Sequence, residues 1–483
     1  MIEKWLLKVV STINAFLADY FLLVLLVGVG IWYTIRTKFV QVRCFGQGMK
    51  NVFGNMKLNG KKQASGMSSF QAFATAVAGQ VGTGNIIGAS GAILLGGPGA
   101  IFWMWIIAFL GMATIYAEAV LAQKTRIVNE DGSVSGGPVN YIKVAFPNKF
   151  GKFLASFFAV AAVVALGFIG AMVQSNSIGE AISGATGGVV PTWVVGIVLV
   201  LLCGFIFIGG VSRLASVSEK VVPIMAILYL LGGLVVVFAR ITFIPEAFGM
   251  IFKYAFNPQA LIGGSVGMAI KTAISQGAKR GLFSNEAGMG STPHAHAQAN
   301  VKNPHQQGTV AIASVFIDTF IVLTFTALVV ISTLYTGNDE MWKTLDKSEM
   351  VATGFGVAFG GGNVALKIGS IFVAICLTFF AFSTIISWNL FGKINFEYLF
   401  GKKGLVVYSI VALAFVMLGS IFKNDLVWEL TDFFNYLMVL PNVIALFALT
   451  KLVKDELNKN GKKKKGEPLY EDTATGKTVN ADK

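Results

Sequence analysis

A polar stretch interrupts one of the most apolar regions of this chain. Residues 78–88 read AGQVGTGNIIG, where glycines and polar side chains crowd together. Glycine weakens a helix and polar side chains are costly in hydrocarbon, so the stretch predicts a helix that unwinds at membrane depth. Unwinding frees backbone N–H groups at the start of the second half-helix and carbonyl groups at the end of the first. The N–H end suits a carboxylate, and the carbonyl end suits a cation.

The residues of this stretch are therefore candidates for binding two ligands side by side. Small residues at the N–H end allow a substrate carboxylate to approach closely, and the freed carbonyl oxygens suit a hard cation such as Na⁺. A cation and a carboxylate offset each other's charge in a low-dielectric site, so binding of one favours binding of the other. The substrate-binding candidates here are Gln80, Gly82, Thr83, Gly84 and Asn85.

Polar and bulky residues in other apolar segments are further candidates. The adjacent hydroxyls of Ser383 and Thr384, in FFAFSTIISW, could complete the cation site; the alternative is that they bond back to their own helix. Three polar residues could bind the substrate ammonium group or order the site: Gln174, Ser275 and Gln276. Three bulky residues could form the wall of the pocket: Phe168, Phe283 and Trp388.

A second interrupted segment, KTAISQGAKRGLFSNEAGMGS, occupies residues 271–291. Its charged residues are Lys279, Arg280 and Glu286, and ionisable groups at membrane depth mark functional sites. We place them toward the cytoplasmic half of their helix and predict that they form an inner gate. Glu118 and Asp318 are two further intramembrane acids, and they are functional candidates for the same reason.

The glycines of both segments have a simpler alternative explanation, which is close helix packing. That explanation covers the pair Gly84 and Gly88, and the pair Gly277 and Gly281. It does not explain the polar and charged residues beside them, so binding is the favoured interpretation.

Composition identifies the class of protein that must position these residues. The chain has 483 residues, of which 55% are hydrophobic and 13% are charged, about half the charged fraction of a soluble protein. Apolar runs of about 20 residues recur, and each is long enough to cross a bilayer. The sequence therefore predicts an all-α polytopic membrane protein with eleven transmembrane helices. The predicted ranges are 15–35, 67–95, 98–124, 152–178, 191–210, 219–240, 260–292, 308–335, 362–392, 404–421 and 429–452.

The basic residues predict the orientation of these helices. The net charge is +14, and Lys and Arg concentrate in every second loop, which is the pattern of cytoplasmic loops. This places the N-terminus outside and the C-terminus in the cytoplasm of a multi-pass cell-membrane protein. It also argues against nucleic acid as a partner; the lipid bilayer is the expected environment, and no obligate protein partner is evident. The isolated cysteines indicate packing rather than a disulfide framework, and the three histidines lack acidic or cysteine partners at metal-site spacing.

The two interrupted segments are spaced so that each opens a group of five helices. An odd number of helices reverses the starting side, so the two groups have opposite orientations, as in secondary transporters with a binding site at the midplane. The predicted divisions are residues 1–66 (an extra helix and a basic loop), 67–258 (first inverted repeat), 259–455 (second inverted repeat) and 456–483 (a disordered cytoplasmic tail).

Long motifs carry a resemblance to a known family. The chain resembles the alanine/glycine:cation symporters of the amino acid–polyamine–organocation superfamily in GQVGTGNIIG, in GGPGAIFWMWIIAFLGMATIYAEAVLA and in SNEAGMGSTPHAHAQA. The resemblance covers nearly the whole span region. It implies Na⁺- or H⁺-coupled uptake of small neutral amino acids, chiefly alanine and glycine.

A more distant resemblance is to the LeuT-type fold, a 5+5 inverted repeat. By this resemblance the carbonyls of Gly79 and Val81, with Ser383 and Thr384, match the Na⁺ site shared across the fold, and Asn85 matches an asparagine that contacts a second ion. The GQVGTGN segment is one residue shorter than its counterpart, which affects the register around Gln80.

The sequence thus favours a cation-coupled symporter that works by alternating access around the two broken helices. An ion channel or a transporter of another small carboxylate are the alternatives, although channels usually place the pore on an oligomeric axis. No nucleophile or metal constellation indicates an enzyme. Na⁺ is the favoured coupling ion, with H⁺ as the alternative, and both L- and D-alanine remain open as substrates.

Overall fold

A computed structural model describes residues 2–54, 56, 66–130, 132–257, 265–336, 341–422 and 425–460, with the short pieces 470–471 and 478–479. The chain is overwhelmingly helical. Helix α1 runs through Ile2–Phe16, the π-helical Leu17–Leu22 and Leu23–Arg36. The short helices α2 (Val40–Arg43) and α3 (Phe45–Phe53) follow it.

The remaining helices follow in chain order: α4 (Ser69–Gln80), α5 (Gly84–Gly96), α6 (Ala100–Thr125), α7 (Pro138–Ala145), α8 (Lys149–Ala185), α9 (Thr192–Ile208), α10 (Gly210–Ala239), α11 (Ile244–Phe256), α12 (Val266–Asn285), α13 (Pro293–Gln298), α14 (Pro304–Tyr335), α15 (Met350–Ala358), α16 (Asn363–Phe400), α17 (Leu405–Gly419), α18 (Asp425–Ala448) and α19 (Thr450–Asn460). The described residues also form six two-residue strands: β1 (Met67–Ser68), β2 (Ile127–Val128), β3 (Val134–Ser135), β4 (Ala299–Asn300), β5 (Tyr470–Glu471) and β6 (Thr478–Val479). Strand β1 pairs in parallel with β4, while β2 pairs with β3 and β5 with β6 in antiparallel.

The spans agree in class with the sequence prediction. Within the described residues, eight helices are long and apolar enough to cross a membrane, and α5 and α9 are shorter apolar helices. Every one of the eleven predicted ranges overlaps a helix, but the number of spans stays a prediction. Of the predicted tail, residues 456–460 belong to α19; most of the rest lies outside the described residues.

The first interrupted helix is α4–α5. It begins with a capping box, in which Ser68 and Gln71 satisfy each other's backbone N–H groups at 3.0 and 3.1 Å. It ends at Val81, whose backbone leaves the helical region, and α5 starts at Gly84. The prediction of a break in this stretch is confirmed.

The second interrupted helix is α12–α13, and its break lies later than the glycine pattern alone indicates. Glu286 ends α12 in the left-handed conformation (φ 58°), and Gly288 and Gly290 follow with φ of 87° and 84°. The earlier glycines, Gly277 and Gly281, lie inside the continuous helix α12. The first glycine pair therefore does not open the helix, and the second pair supplies the positive φ values that the break requires.

Helix α6 lies at the centre of the fold, where it packs against α1, α12 and α14. Peripheral helices expose large apolar side chains, such as Leu201 of α9, Phe238 of α10 and Val406 of α17. In a protein that spans a bilayer such residues face lipid, so the buried centre is where polar side chains can be collected.

The contact between α12 and α6 gives a test with a matched control. A Cβ at Gly277 would lie 2.7 Å from Cβ of Trp103 and 2.8 Å from the Ala100 carbonyl oxygen, whereas a Cβ at Gly281 would meet nothing closer than 3.7 Å. We expect Gly277→Ala to destabilise the protein by about 1–3 kcal/mol through overpacking, and Gly281→Ala to be neutral or slightly stabilising. Thermal unfolding of the two purified variants in detergent checks this; equal melting temperatures would contradict the packing assignment.

Candidate functional site

The break between α4 and α5 keeps most of its freed N–H groups satisfied by side chains. The Gly82 N–H donates to Oδ1 of Asn85 at 3.1 Å. The Thr83 N–H donates to Oε1 of Gln174, on α8, at 3.3 Å. Asn85 and Gln174 thus each accept from one N–H group at the predicted anion-binding end, and their side-chain amides order the opened backbone.

Several polar atoms at this break are buried and have no hydrogen-bond partner among the described residues. They are Oε1 of Gln80, Oγ1 of Thr83 and Nε2 of Gln174. Buried polar groups are normally paired, because leaving one unpaired is costly. Two potential donors and one acceptor therefore remain for a small ligand that carries both an acceptor and a donor group.

Aromatic side chains close one side of the break. A Cβ at Gly84 would lie 3.0 Å from Cδ1 of Phe283, so the α12 aromatic ring touches the backbone of the break. Phe283 makes an edge-to-face contact with Trp388 of α16 (5.9 Å between centroids) and also contacts Trp428 of α18 (5.1 Å). This wall, formed by Phe283, Trp388 and Trp428, includes two of the three predicted bulky residues.

Three predicted site residues lie elsewhere. The ring contacts of Phe168 are with Tyr408 and Phe415 of α17 instead of the aromatic wall. Ser275 and Gln276 lie ten or eleven residues before Glu286 on a continuous helix, about 15 Å along its axis from the second break. Gln276 packs against Gly96, at the far end of α5. The structure thus places both residues away from the second break, because α12 stays helical through this region, and their assignment to the substrate site stays a prediction.

The hydroxyl of Thr384 reaches the carbonyl end of the first break. Oγ1 of Thr384 donates to the carbonyl of Ala78 at 2.8 Å, and a Cβ at Gly82 would lie only 2.5 Å from it. Its neighbour Ser383 instead donates to the Phe380 carbonyl of its own helix at 2.9 Å and lies 3.4 Å from the sulfur of Met225. Both hydroxyls thus lie within hydrogen-bond distance of the Phe380 carbonyl of their own helix, Thr384 at 3.1 Å, but only Thr384 also reaches the break.

These groups fit a hard monovalent cation. The carbonyls of Gly79 and Val81 lie at the end of α4, and Thr384 adds a hydroxyl. All of these potential ligands are oxygens, the type that Na⁺ takes at unwound transporter helices.

The predicted gate residues separate into two places. Nη1 of Arg280 pairs with Oδ2 of Asp432, on α18, at 3.3 Å, and the guanidinium lies over Trp428. Lys347 also faces Trp428, and its burial, together with the Arg280 charge, lowers the pKa of this loop lysine. Lys279 precedes Arg280 on α12.

Lys279 and Arg280 precede the break and therefore lie on the opposite side of it from α13. The side of the membrane on which they lie stays a prediction. Glu286 lies at the break itself: its carboxylate accepts hydrogen bonds from Nε1 of Trp388 and Oγ of Ser291, both at 2.5 Å.

The sequence analysis did not identify two partners on α18, namely Asp432, which pairs with Arg280, and Asn442, which bonds to Glu118. The two buried acids that it named are both in hydrogen-bond networks at the breaks. Glu118 accepts from the Gly288 N–H at 3.0 Å and from Nδ2 of Asn442 at 2.6 Å. Asp318 accepts from Asn85 (2.7 Å), Ser284 (2.9 Å) and Thr319 (2.8 Å). Asp432 and Asn442 carried a signal, because each is a polar residue inside an apolar span.

The three histidines hydrogen-bond protein groups. His294 bonds to the Ser291 carbonyl at 2.6 Å, His296 to Gln307 at 2.9 Å and His305 to Tyr116 at 2.8 Å.

Comparison with known proteins relates this chain to a family of membrane transporters. The profile of the sodium:alanine symporter family matches residues 3–473. The sodium/alanine symporter AgcS of Methanococcus maripaludis is 39% identical over 93% of this chain and 96% of its own length. A putative sodium/proton-dependent alanine carrier protein of Bacillus subtilis is 39% identical over 97% of this chain and 95% of its own. The structure is similar to MhsT in complex with L-phenylalanine, with a TM-score of 0.56 and 12% identity over 82% of this chain and all of MhsT. This likeness shows the fold, which is of the LeuT type.

The glycines of the first break provide a test of the site. An alanine at Gly82 would lie 2.5 Å from Oγ1 of Thr384 and 3.3 Å from Oε1 of Gln174, whereas an alanine at Gly88 would meet nothing closer than 3.8 Å. We expect Gly82→Ala to lower initial transport rates by roughly tenfold or more, about 1.4 kcal/mol or more of lost binding or turnover, and Gly88→Ala to stay near wild type. The measurement is the initial rate of labelled alanine uptake by membrane vesicles, normalised to the amount of inserted protein. Equal loss in both variants would speak against a site at Gly82.

Proposed function

Because this chain belongs to the sodium:alanine symporter family, and is thus a multi-pass membrane transporter rather than an enzyme, we propose that it couples the uptake of alanine and glycine to the Na⁺ gradient across the cell membrane. Cation-coupled symport of an amino acid follows from the family and agrees with the LeuT-type fold. The proposal of Na⁺, alanine and glycine rests on the break at residues 81–83. There, polar groups without a partner among the described residues lie beside the carbonyl end of α4.

The proposed substrate pose follows from the donors at this break. The carboxylate of the amino acid accepts from Nε2 of Gln174 and Oγ1 of Thr83, near the backbone of Gly82 and Gly84. The ammonium group donates to Oε1 of Gln80. Each of these contacts satisfies a buried group that has no other partner among the described residues, which is the source of specificity for a zwitterion.

The proposed size limit comes from the aromatic wall. Phe283 and Trp388 are nearly perpendicular to each other, with Phe283 against the backbone at Gly84. A pocket bounded by rigid rings suits a methyl side chain or a hydrogen better than a longer chain. Discrimination against one added methylene is modest, about 1–3 kcal/mol, so slightly larger neutral amino acids are weak competitors.

In this proposal the carbonyls of Gly79 and Val81 and the hydroxyl of Thr384 hold the coupling ion, Na⁺ in preference to H⁺. A cation bound there supplies positive charge next to the substrate carboxylate. The residues themselves order the site: Thr384 fixes the end of α4 through Ala78, and Gln80 binds α4 to the end of α12 by donating to the Asn285 carbonyl at 2.7 Å.

We also propose that residues 67–258 and 259–455 are the two inverted repeats that rock against each other, with the N-terminus outside. Each begins with a broken helix, α4–α5 or α12–α13, and the two breaks are joined by Gln80 and Asn285. The Arg280–Asp432 pair lies on the outer side of the site and serves as a gate between α12 and α18.

The decisive experiment is uptake of labelled L-alanine by proteoliposomes that contain the full chain. We expect uptake against a concentration gradient when Na⁺ is outside, with glycine competing well and glutamine poorly. A proton gradient alone, with K⁺ on both sides, should give little uptake; strong uptake under that condition would replace Na⁺ by H⁺. Alanine flux that is independent of both gradients would exclude symport.

The outer gate has its own test. Arg280→Gln leaves the Asp432 carboxylate buried without its partner, so we expect the initial rate of alanine uptake to fall by roughly tenfold, while the double variant with Asp432→Asn regains part of it. Lys271→Gln, on the same helix but exposed, is the control and should transport normally. Unchanged kinetics in Arg280→Gln would remove this pair from the transport cycle.

A further inference from the structure

Glu286 occupies an unusual place at the second break. It ends α12 in the left-handed conformation, and its side chain is wholly buried. One carboxylate oxygen, Oε1, accepts from the indole N–H of Trp388, and the other, Oε2, accepts from the hydroxyl of Ser291. A non-glycine residue held at positive φ is strained, and such residues persist where the side chain has a task.

No positive group of the protein balances this carboxylate within the described chain. Arg280, on the same helix, pairs instead with Asp432 of α18. His294 follows Ser291 by three residues, and its Nε2 accepts a hydrogen bond from the side-chain amide of Asn395. The ring proton is therefore on Nδ1, which donates to the Ser291 carbonyl, and the ring is neutral. A buried carboxylate without a charged partner is costly, and a bound cation relieves that cost.

Two other acids belong to the same region but are differently placed. Asp318 accepts from three side-chain donors. Glu118 accepts from the Gly288 N–H on one oxygen and from the Asn442 amide on the other, so it holds the backbone of the second break. Glu286 likewise has one donor on each oxygen, which leaves acceptor capacity on both, and it differs from Glu118 in its position.

Glu286 also lies next to the carbonyl end of the first break. A Cβ built at Gly79 would be 3.6 Å from Oε2 of Glu286, so the carboxylate is adjacent to the backbone whose carbonyl is a proposed cation ligand. The donors proposed for the substrate carboxylate lie beyond the break, at residues 82–84 and Gln174. Glu286 therefore faces the cation end of the site.

Resting on the proposed function, we propose that Glu286 is the anionic ligand of the coupling cation. Its carboxylate completes the oxygen shell formed by the carbonyls of Gly79 and Val81 and by Thr384. Its hydrogen bond to Trp388 joins this shell to the aromatic wall of the substrate pocket, so one indole ring contacts both the cation's ligand and Phe283. Substrate that packs against Trp388 thereby fixes the carboxylate, which gives a structural route for coupling.

The test measures binding of ²²Na⁺ to the purified full-length protein without any amino acid. Glu286→Gln keeps the size and the acceptor for Trp388 but removes the charge, and we expect Na⁺ affinity to fall by about tenfold or more. Glu219→Gln is the matched control, because Glu219 is also a buried carboxylate with a side-chain amide donor, Gln71, but lies on α10. Its Na⁺ affinity should match wild type. Unchanged Na⁺ affinity in Glu286→Gln would overturn the proposal.

A second variant keeps the test decisive if Glu286→Gln does not fold. Glu286→Asp retains the charge and withdraws it by one methylene, so Na⁺ should bind more weakly and its preference over K⁺ should fall by at least about threefold. An unaltered Na⁺ to K⁺ ratio would count against direct ligation.

A further arm separates the cation from the substrate ammonium. If Glu286→Gln weakens alanine binding at saturating Na⁺ while ²²Na⁺ binding alone is unchanged, the carboxylate recognises the ammonium group and the proposal is wrong. Wild-type protein that binds no ²²Na⁺ and takes up alanine without a Na⁺ gradient would mean instead that the proposed function has failed.

Discussion

The constraint on which the structure depends is that an opened helix inside a membrane has no water to satisfy its backbone. Two helices are opened here, and side chains from other helices take the place of water. At the first break, Asn85 and Gln174 accept from backbone N–H groups, and Thr384 donates to a carbonyl. At the second, Glu118 accepts from the Gly288 N–H while Asn442 donates to the Gly288 carbonyl. The buried polar residues of an otherwise apolar protein are located where the backbone requires them.

This requirement also links the two halves of the chain. Several of the hydrogen bonds at the breaks cross between the halves: Gln80 reaches the Asn285 carbonyl, Asn85 reaches Asp318, and Thr384 reaches Ala78. Moving one half against the other must therefore break and remake hydrogen bonds of the opened backbone. Because each such bond is costly to leave unmade, the proposed rocking motion has discrete end states, with the ligands contributing to the set of bonds that closes each one.

The sequence predicted the class of fold and the first break from composition and from the crowding of glycine and polar residues at 78–88. It located the second break less well, because glycine alone does not say whether a position packs or unwinds. Gly277 fits against Trp103, while the residue that ends the helix is Glu286, which is not a glycine. The distance of Ser275, Gln276 and Arg280 from the second break follows from that one difference. Asp432 and Asn442 could not be paired with Arg280 and Glu118, since about 150 or more residues separate the partners and only the packing of α18 brings them together.

Trp388 shows why the two binding ends are hard to separate energetically. Its ring packs against Phe283 and leaves little room at Gly170, where a Cβ would lie 2.5 Å from the ring, so its orientation is fixed from two sides. Its N–H meets Glu286 at 2.5 Å. Because packing restricts the indole, a displacement of Glu286 must either break this hydrogen bond or strain the contact between Trp388 and Phe283. In the proposed site, a cation at Glu286 and a substrate against the wall therefore affect each other through Trp388. Coupling of this kind needs only a rigid side chain shared by both ends, which is the arrangement that α16 provides.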